Sequence, residues 1–245
     1  DVPDEVPLDF WADFREKVKS VNSEAWIVGE IWGDARQWLQ GGYFDGVMNY
    51  RIGWSSLCWV AGNRLNKTYL NPLYPIQEIG TNNFIDVLKT TFEWYSREVN
   101  ICNLNLLDSH DVPRALNTLM GDVAALKISI CLLFLQPGTP CIYYGTEVGL
   151  SGGKEPACRE CFPWEGHWKF DLRSFIRSLA DLRKELPEIL YWELQWLPLK
   201  EDGLLLWFSP GESSSFDGHN AIAIFINRSR RVWMQIDFNF DDYLF

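Results

Sequence analysis

The feature that most constrains this chain is an alternation. A helix-period apolar pattern is followed by a short apolar run, and a polar group stands where the run ends. The clearest case is Ala25-Trp-Ile-Val-Gly-Glu30, whose Trp, Ile and Val suit a strand packed on both faces. Gly29 permits a close turn, and Glu30 sits where strand gives way to loop. Runs 44–49, 103–107 and 141–144 behave alike, ending at Asn49, at Asp108-Ser-His110-Asp111, and at Tyr144 with Glu147. Helical patterns alternate with them. One over 7–21 carries Phe10, Phe14, Val18 and Val21; the next is capped by Asn82 or Asn83 and carries Phe84, Val87, Leu88, Thr91, Phe92 and Tyr95. Two more run over 123–135 and 172–186. Parallel strands need long crossover connections, so this order predicts a parallel sheet with helices between its strands. Polar groups gathered at one rim favour part of a (β/α)8 barrel, which collects its chemistry at the carboxyl ends of its strands.

Residues 51–83 are the least legible, with a short helix expected over 54–60 and breaks at Pro72 and Pro75. After Pro187 the texture changes. Runs 194–199, 204–208, 221–226 and 232–238 are strand-like and separated by Gly, Ser and Asn, which predicts a small antiparallel β-domain. The expected organisation is an α/β domain over 1–189 and a β-domain over 190–245.

Composition narrows the function. A formal net charge of −11 argues against nucleic acid or an anionic membrane surface as partner. No apolar run reaches the ~18 residues of a membrane span. Thirteen Trp and 15% aromatics suit sugar recognition, where ring faces stack on the apolar faces of pyranoses. Cys58, Cys102, Cys131 and Cys141 lie among apolar neighbours and read as core residues. Cys158 and Cys161 form one C-x-x-C without a second ligand pair, so a reduced loop pair or a local disulfide is expected rather than zinc.

Six segments then stand in an order more specific than any one of them. They are Asp1-Val-Pro-Asp-Glu-Val6, Gly29-Glu-Ile-Trp32, Phe44-Asp-Gly-Val-Met-Asn-Tyr50, Asn105-Leu-Leu-Asp-Ser-His-Asp-Val-Pro-Arg114, Thr139-Pro-Cys-Ile-Tyr-Tyr-Gly145 and Gly152-Gly-Lys-Glu-Pro-Ala-Cys-Arg159. Asp1 and Glu30 are 29 residues apart, and Glu30 and Asp111 are 81 apart. By these segments the chain resembles glycoside hydrolase family 13, the α-amylase family, and within it the neopullulanase, cyclomaltodextrinase and maltogenic amylase group.

The resemblance implies strands five to eight of the family's barrel followed by its C-terminal β-domain. It implies Asp1 as nucleophile, Glu30 as general acid/base and Asp111 as the third carboxylate, with His110, Trp32, Glu5 and Arg114 shaping the substrate rim. The implied substrates are α-glucans or cyclodextrins; no cofactor and no metal-ligating residue is expected. Alternatives are an α-glucosidase-like member of the family and a non-catalytic carbohydrate-binding relative. Two positions depart from the pattern: Gly33 stands where His is frequent, and Asp4 where Asn is frequent. The resemblance further implies a C-terminal half of the enzyme, whose first four strands would precede Asp1, inactive by itself. The expected compartment is the cytoplasm.

Overall fold

In the computed structural model, which describes residues 1–164, 168–210 and 221–229, the chain runs helix and strand in the predicted alternation. In order come α1 (Leu8–Val21), β1 (Val28–Gly29), β2 (Gly46–Asn49), α2 (Tyr50–Ala61), α3 (Thr81–Glu93), α4 (Arg97–Cys102) and β3 (Leu104–Leu106). Then follow α5 (Ala115–Thr118), α6 (Val123–Leu135), β4 (Thr139–Cys141), α7 (Arg173–Glu185), β5 (Glu193–Leu199), β6 (Gly203–Ser209) and β7 (Ile222–Asn227). Strands β1 to β4 form one parallel sheet in sequence order, and β5 to β7 form a separate antiparallel sheet. This is part of a (β/α)8 barrel followed by a small β-sheet.

The parallel strands are shorter than the apolar runs that announce them. Of residues 25–30 only Val28–Gly29 pairs with β2, because Ile27 directs its amide to the Asp45 carboxylate at 2.8 Å instead of to a neighbouring strand. The fourth strand is Thr139–Cys141 rather than 141–144. Its partner β3 ends at Leu106 opposite Cys141, so the chain beyond has nothing to pair with. Buried amides supplement these ladders. The Asn103 side chain accepts from the Val47 amide at 3.0 Å, Asn49 donates to Asn105 at 3.2 Å, and Asn105 donates to the Pro137 carbonyl at 2.7 Å.

Two helical bounds are corrected. α2 covers Tyr50–Ala61, longer than the 54–60 segment, and begins directly at the end of β2. Gly53 makes this possible, since a Cβ there would lie 2.3 Å from the Leu106 carbonyl of β3. α3 begins after Gly80, not at Asn82 or Asn83; the Thr81 hydroxyl that opens it donates to Glu201 at 2.6 Å. α4 and α5 are too short to register as a periodic pattern. The packing face of α1 also differs. Trp11 and Val18 pack on the Ile27/Phe44 cluster, with Arg15 between them bonding Asp45 at 2.9 Å, while Phe10 and Val21 stay exposed.

The main core gathers α2, α3 and α6 with the buried face of β6. Trp59, Phe84, Leu88 and Leu126 are fully buried there, each worth roughly 1.5–3 kcal/mol of apolar burial. The antiparallel sheet is fastened to the helices by polar contacts as well. Arg228 donates to the carbonyls of Trp59 and Ile79 and pairs with Asp202, and Trp196 donates to Gln136 at 3.0 Å. The expected strand at 232–238 lies outside the described residues.

Candidate active site

A parallel strand delivers the residue after its last paired position to the carboxyl rim of the sheet. Glu30 follows β1 directly, Asn49 ends β2, and Asp108 to Asp111 follow β3 two residues on. Glu30, His110 and Asp111 converge, with one ligand atom from each within 4.8 Å of the others.

Each member is held by neighbours. The Tyr50 hydroxyl, at the start of α2, donates to Glu30 Oε1 at 3.0 Å and meets Ser109 Oγ at 3.1 Å. Burial above all, reinforced by the Glu30 charge, pushes the Tyr50 pKa far above its ordinary value, so this hydroxyl keeps its proton. Both Asp111 oxygens are engaged, Oδ2 by His110 Nε2 at 3.1 Å and Oδ1 by Arg159 Nη2 at 2.8 Å. Arg159 also donates to the His110 carbonyl at 2.9 Å and pairs with Glu155 at 3.1 Å. The Cys158 thiol meets the same His110 carbonyl at 3.0 Å. The loop carrying the C-x-x-C therefore grips the backbone of the His110-Asp111 segment. Cys158 is buried, Cys161 is exposed, and both are free thiols. The three clustered donors could reach one cation, but the Arg159 guanidinium already places positive charge on Asp111.

Trp32 stacks on Tyr50 with ring centroids 4.3 Å apart and is half-buried. Arg114 is fully buried. Its guanidinium donates to the carbonyls of Cys158, at 2.8 Å, and Tyr144, and lies over the Tyr143 and Tyr144 rings. That arrangement makes it a strut beneath the loop, with no face open to a ligand. Asp108 is likewise internal. Burial pushes its carboxyl pKa up, against the Ala115 amide and the Thr146 hydroxyl that bond it. Glu5 is exposed, in a short turn (Pro3–Glu5) tied to α1 by Trp11, which donates to Pro3 at 2.9 Å. Asp1 is exposed ahead of that turn and is not a member of the cluster.

Tyr50, Ser109 and Arg159 carry no role in the sequence reading. Tyr50 and Arg159 each close one of the six segments, and that terminal position was the signal available for them.

Two carboxylates and an imidazole thus gather at the carboxyl rim of a short-stranded parallel sheet, the end at which a (β/α)8 barrel carries its chemistry. The family model described as the alpha amylase catalytic domain matches residues 2–190, and the chain belongs to that family. It is 33% identical over 233 residues to a cyclomaltodextrinase of Geobacillus thermopakistaniensis, covering 95% of this chain and 36% of the relative. It is 36% identical over 234 residues to a maltogenic alpha-amylase of Bacillus acidopullulyticus, covering 94% and 36%. Among solved structures, a debranching enzyme of Nostoc punctiforme superposes with a TM-score of 0.81 at 34% identity, covering 93% of this chain and 46% of that one. Ttha1563 from Thermus thermophilus superposes with a TM-score of 0.78 at 39% identity, covering 84% and 46%. The chain thus spans about 36% of the length of these two curated relatives.

Proposed function

We propose that the protein acts as a retaining α-glucan hydrolase or transglycosylase on cyclodextrins, pullulan or malto-oligosaccharides. Residues 1–189 would contribute to its catalytic barrel and 190–245 form its β-domain. The observation that carries this reading is the convergence of Glu30 with the His110–Asp111 pair at the carboxyl rim, in a chain of this family.

Retention needs a nucleophilic carboxylate and an acid/base carboxyl about 5–5.5 Å apart, on either side of the scissile bond. In the proposed mechanism Asp1 attacks the anomeric carbon as Glu30 gives its proton to the departing glycosidic oxygen. The bond to the leaving sugar breaks and a glycosyl ester forms on Asp1. Glu30 then takes a proton from water or a sugar hydroxyl, whose oxygen displaces Asp1 at the same carbon. Tyr50, donating to Glu30 Oε1, orients that carboxyl for both steps. Asp111, oriented by Arg159 and His110, would accept from sugar hydroxyls as positive charge develops on the ring. Trp32 on its Tyr50 platform would present an indole to an acceptor sugar. Arg114 serves by holding the loop that carries Arg159.

The test is Glu30→Gln in the enzyme. Hydrolysis of ordinary glucans should fall by roughly 10²–10⁴-fold, the worth of general acid catalysis. Formation of the covalent intermediate from α-glucosyl fluoride, whose leaving group needs little protonation, should be largely spared. Asp1→Asn should abolish both reactions. Equal losses on the two substrates for Glu30→Gln would remove the acid assignment, and a β anomer appearing first by proton NMR would remove retention.

A further inference from the structure

A groove of about 240 Å³ opens at the seam between the helices and the antiparallel sheet. Packing explains part of it. Phe92 of α3 and Trp196 of β5 stack with centroids 5.4 Å apart at 11°, and Trp196 is buried with its indole N–H spent on Gln136. Packing does not explain the rest. Trp192 is half-buried at the groove, and its neighbour Tyr191 is 64% exposed. Arg97 and Glu193 line the same groove, both exposed, and among the described residues neither side chain makes a hydrogen bond or ion pair. Beneath them Asn100 is buried, and its amide N–H groups go to the carbonyls of Phe92 at 2.8 Å and Tyr95 at 3.2 Å. Those two bonds fix the orientation of the amide. Its oxygen is left buried without a partner, a costly state for an acceptor unless a donor reaches it.

We infer that this seam is a second carbohydrate-binding site, one that holds an α-glucan chain without cleaving it. The match is chemical. A pyranose offers apolar C–H faces to aromatic rings and vicinal hydroxyls that both donate and accept. The groove offers the Trp192 indole, the Arg97 donors and the Glu193 acceptors, with the Asn100 oxygen behind them. Its volume lies below the roughly 300–1,000 Å³ of drug-sized pockets, which suits one or two sugar units of a longer chain. The site stands apart from the carboxylate cluster. Asn100 lies ahead of β3 and Pro137, also in the groove, ahead of β4, at the amino ends of strands whose carboxyl ends carry Asp111 and Glu147. A glucan held there would keep the protein on a polymer while another segment of chain enters the cleavage site. The choice of an α-glucan over other carbohydrates rests on the proposed function.

The experiment measures binding, not turnover. The Glu30→Gln protein, in which cleavage of the ligand is slowed, is run through native gels containing soluble amylose. It is compared with the same protein carrying Trp192→Ala, or the exposed pair Arg97→Ala and Glu193→Ala. Each should weaken retention by amylose about tenfold or more, a loss of one productive contact set. An unchanged melting temperature for the double variant secures the result if Trp192→Ala disturbs folding. Retention equal to the parent in the double variant overturns the inference, as does competition by cello-oligosaccharides as strong as by malto-oligosaccharides. Because no step requires cleavage, a protein that binds at the seam and cleaves nothing retains this site and loses the proposed function. One that cleaves, with retention unaffected by the seam variants, does the reverse.

Discussion

The two sheets keep their strands in register by different means. β5 and β6 are paired at every position from Glu193 opposite Ser209 to Leu199 opposite Gly203, and residues 204–208 of β6 are buried throughout. Ladder and apolar burial together suffice there. The parallel strands share only two or three paired positions each. Their register is supplemented by Asn103, Asn49 and Asn105, whose buried amides reach across from strand to strand. A short ladder frees the backbone to turn at the carboxyl rim, where Glu30, Ser109, His110 and Asp111 stand. The cost is a dependence on buried polar groups, each of which must find its partner. The sheet at the candidate active site is thus the more polar and the less regular of the two.

The sharpest way to break this comparison is Asn105→Leu, which keeps the side-chain size and deletes both amide bonds. It leaves the Asn49 amide and the Pro137 carbonyl without their partner, at about 1–3 kcal/mol for each unsatisfied group. Urea unfolding should show a loss of about 2–6 kcal/mol, and a neutral result would show that the parallel register needs no side-chain amides. On the antiparallel side the matched variant is Leu206→Ala, at a fully buried position of β6 packed in the main core. Its expected cost is about 2–5 kcal/mol, the range for truncating a buried leucine, by the same measurement.

The smallest effect concerns the entrance to β2. Burial opposes ionisation of Asp45, but the Ile27 amide, Lys19 and Arg15 outweigh it and hold the carboxyl below the ordinary aspartate range. A folded-state pKa below the unfolded value of ~3.9 means the carboxylate stabilises the fold above that pH. This contribution is lost as pH falls through the folded value. Asp45→Asn should therefore cost about 1–2 kcal/mol at neutral pH. The difference from the parent should vanish in acid, which thermal melts across a pH series would read. A difference that persisted unchanged in acid would assign the effect to shape rather than charge.

Much of this was legible in the linear chain, and the reason is locality. α6 falls at Val123–Leu135, as the strongly apolar segment stopped by Gln136-Pro137-Gly138 predicts, because helix formation over thirteen residues is decided by those residues. The parallel arrangement followed from strands separated by helices, which leaves few other connections open. The six family segments placed Glu30 and Asp111 at strand ends because their order is itself sequence information. Strand lengths were not legible, since a strand ends where its neighbour ends: residues 142–144 are as apolar as β4 but face no partner. Nor was the fate of Arg114. As a charged residue in a matching segment it reads as a rim group, and only packing shows it buried under the loop with its Nε and Nη1 donors spent on the carbonyls of Cys158 and Tyr144. Arg159 is the converse case, a charge 48 residues from Asp111 that reaches its carboxylate. The local pattern determined which residues form helices, strands and strand ends. The tertiary structure decided which polar groups meet, because hydrogen bonds across such distances depend on how the loops fold back over the sheet.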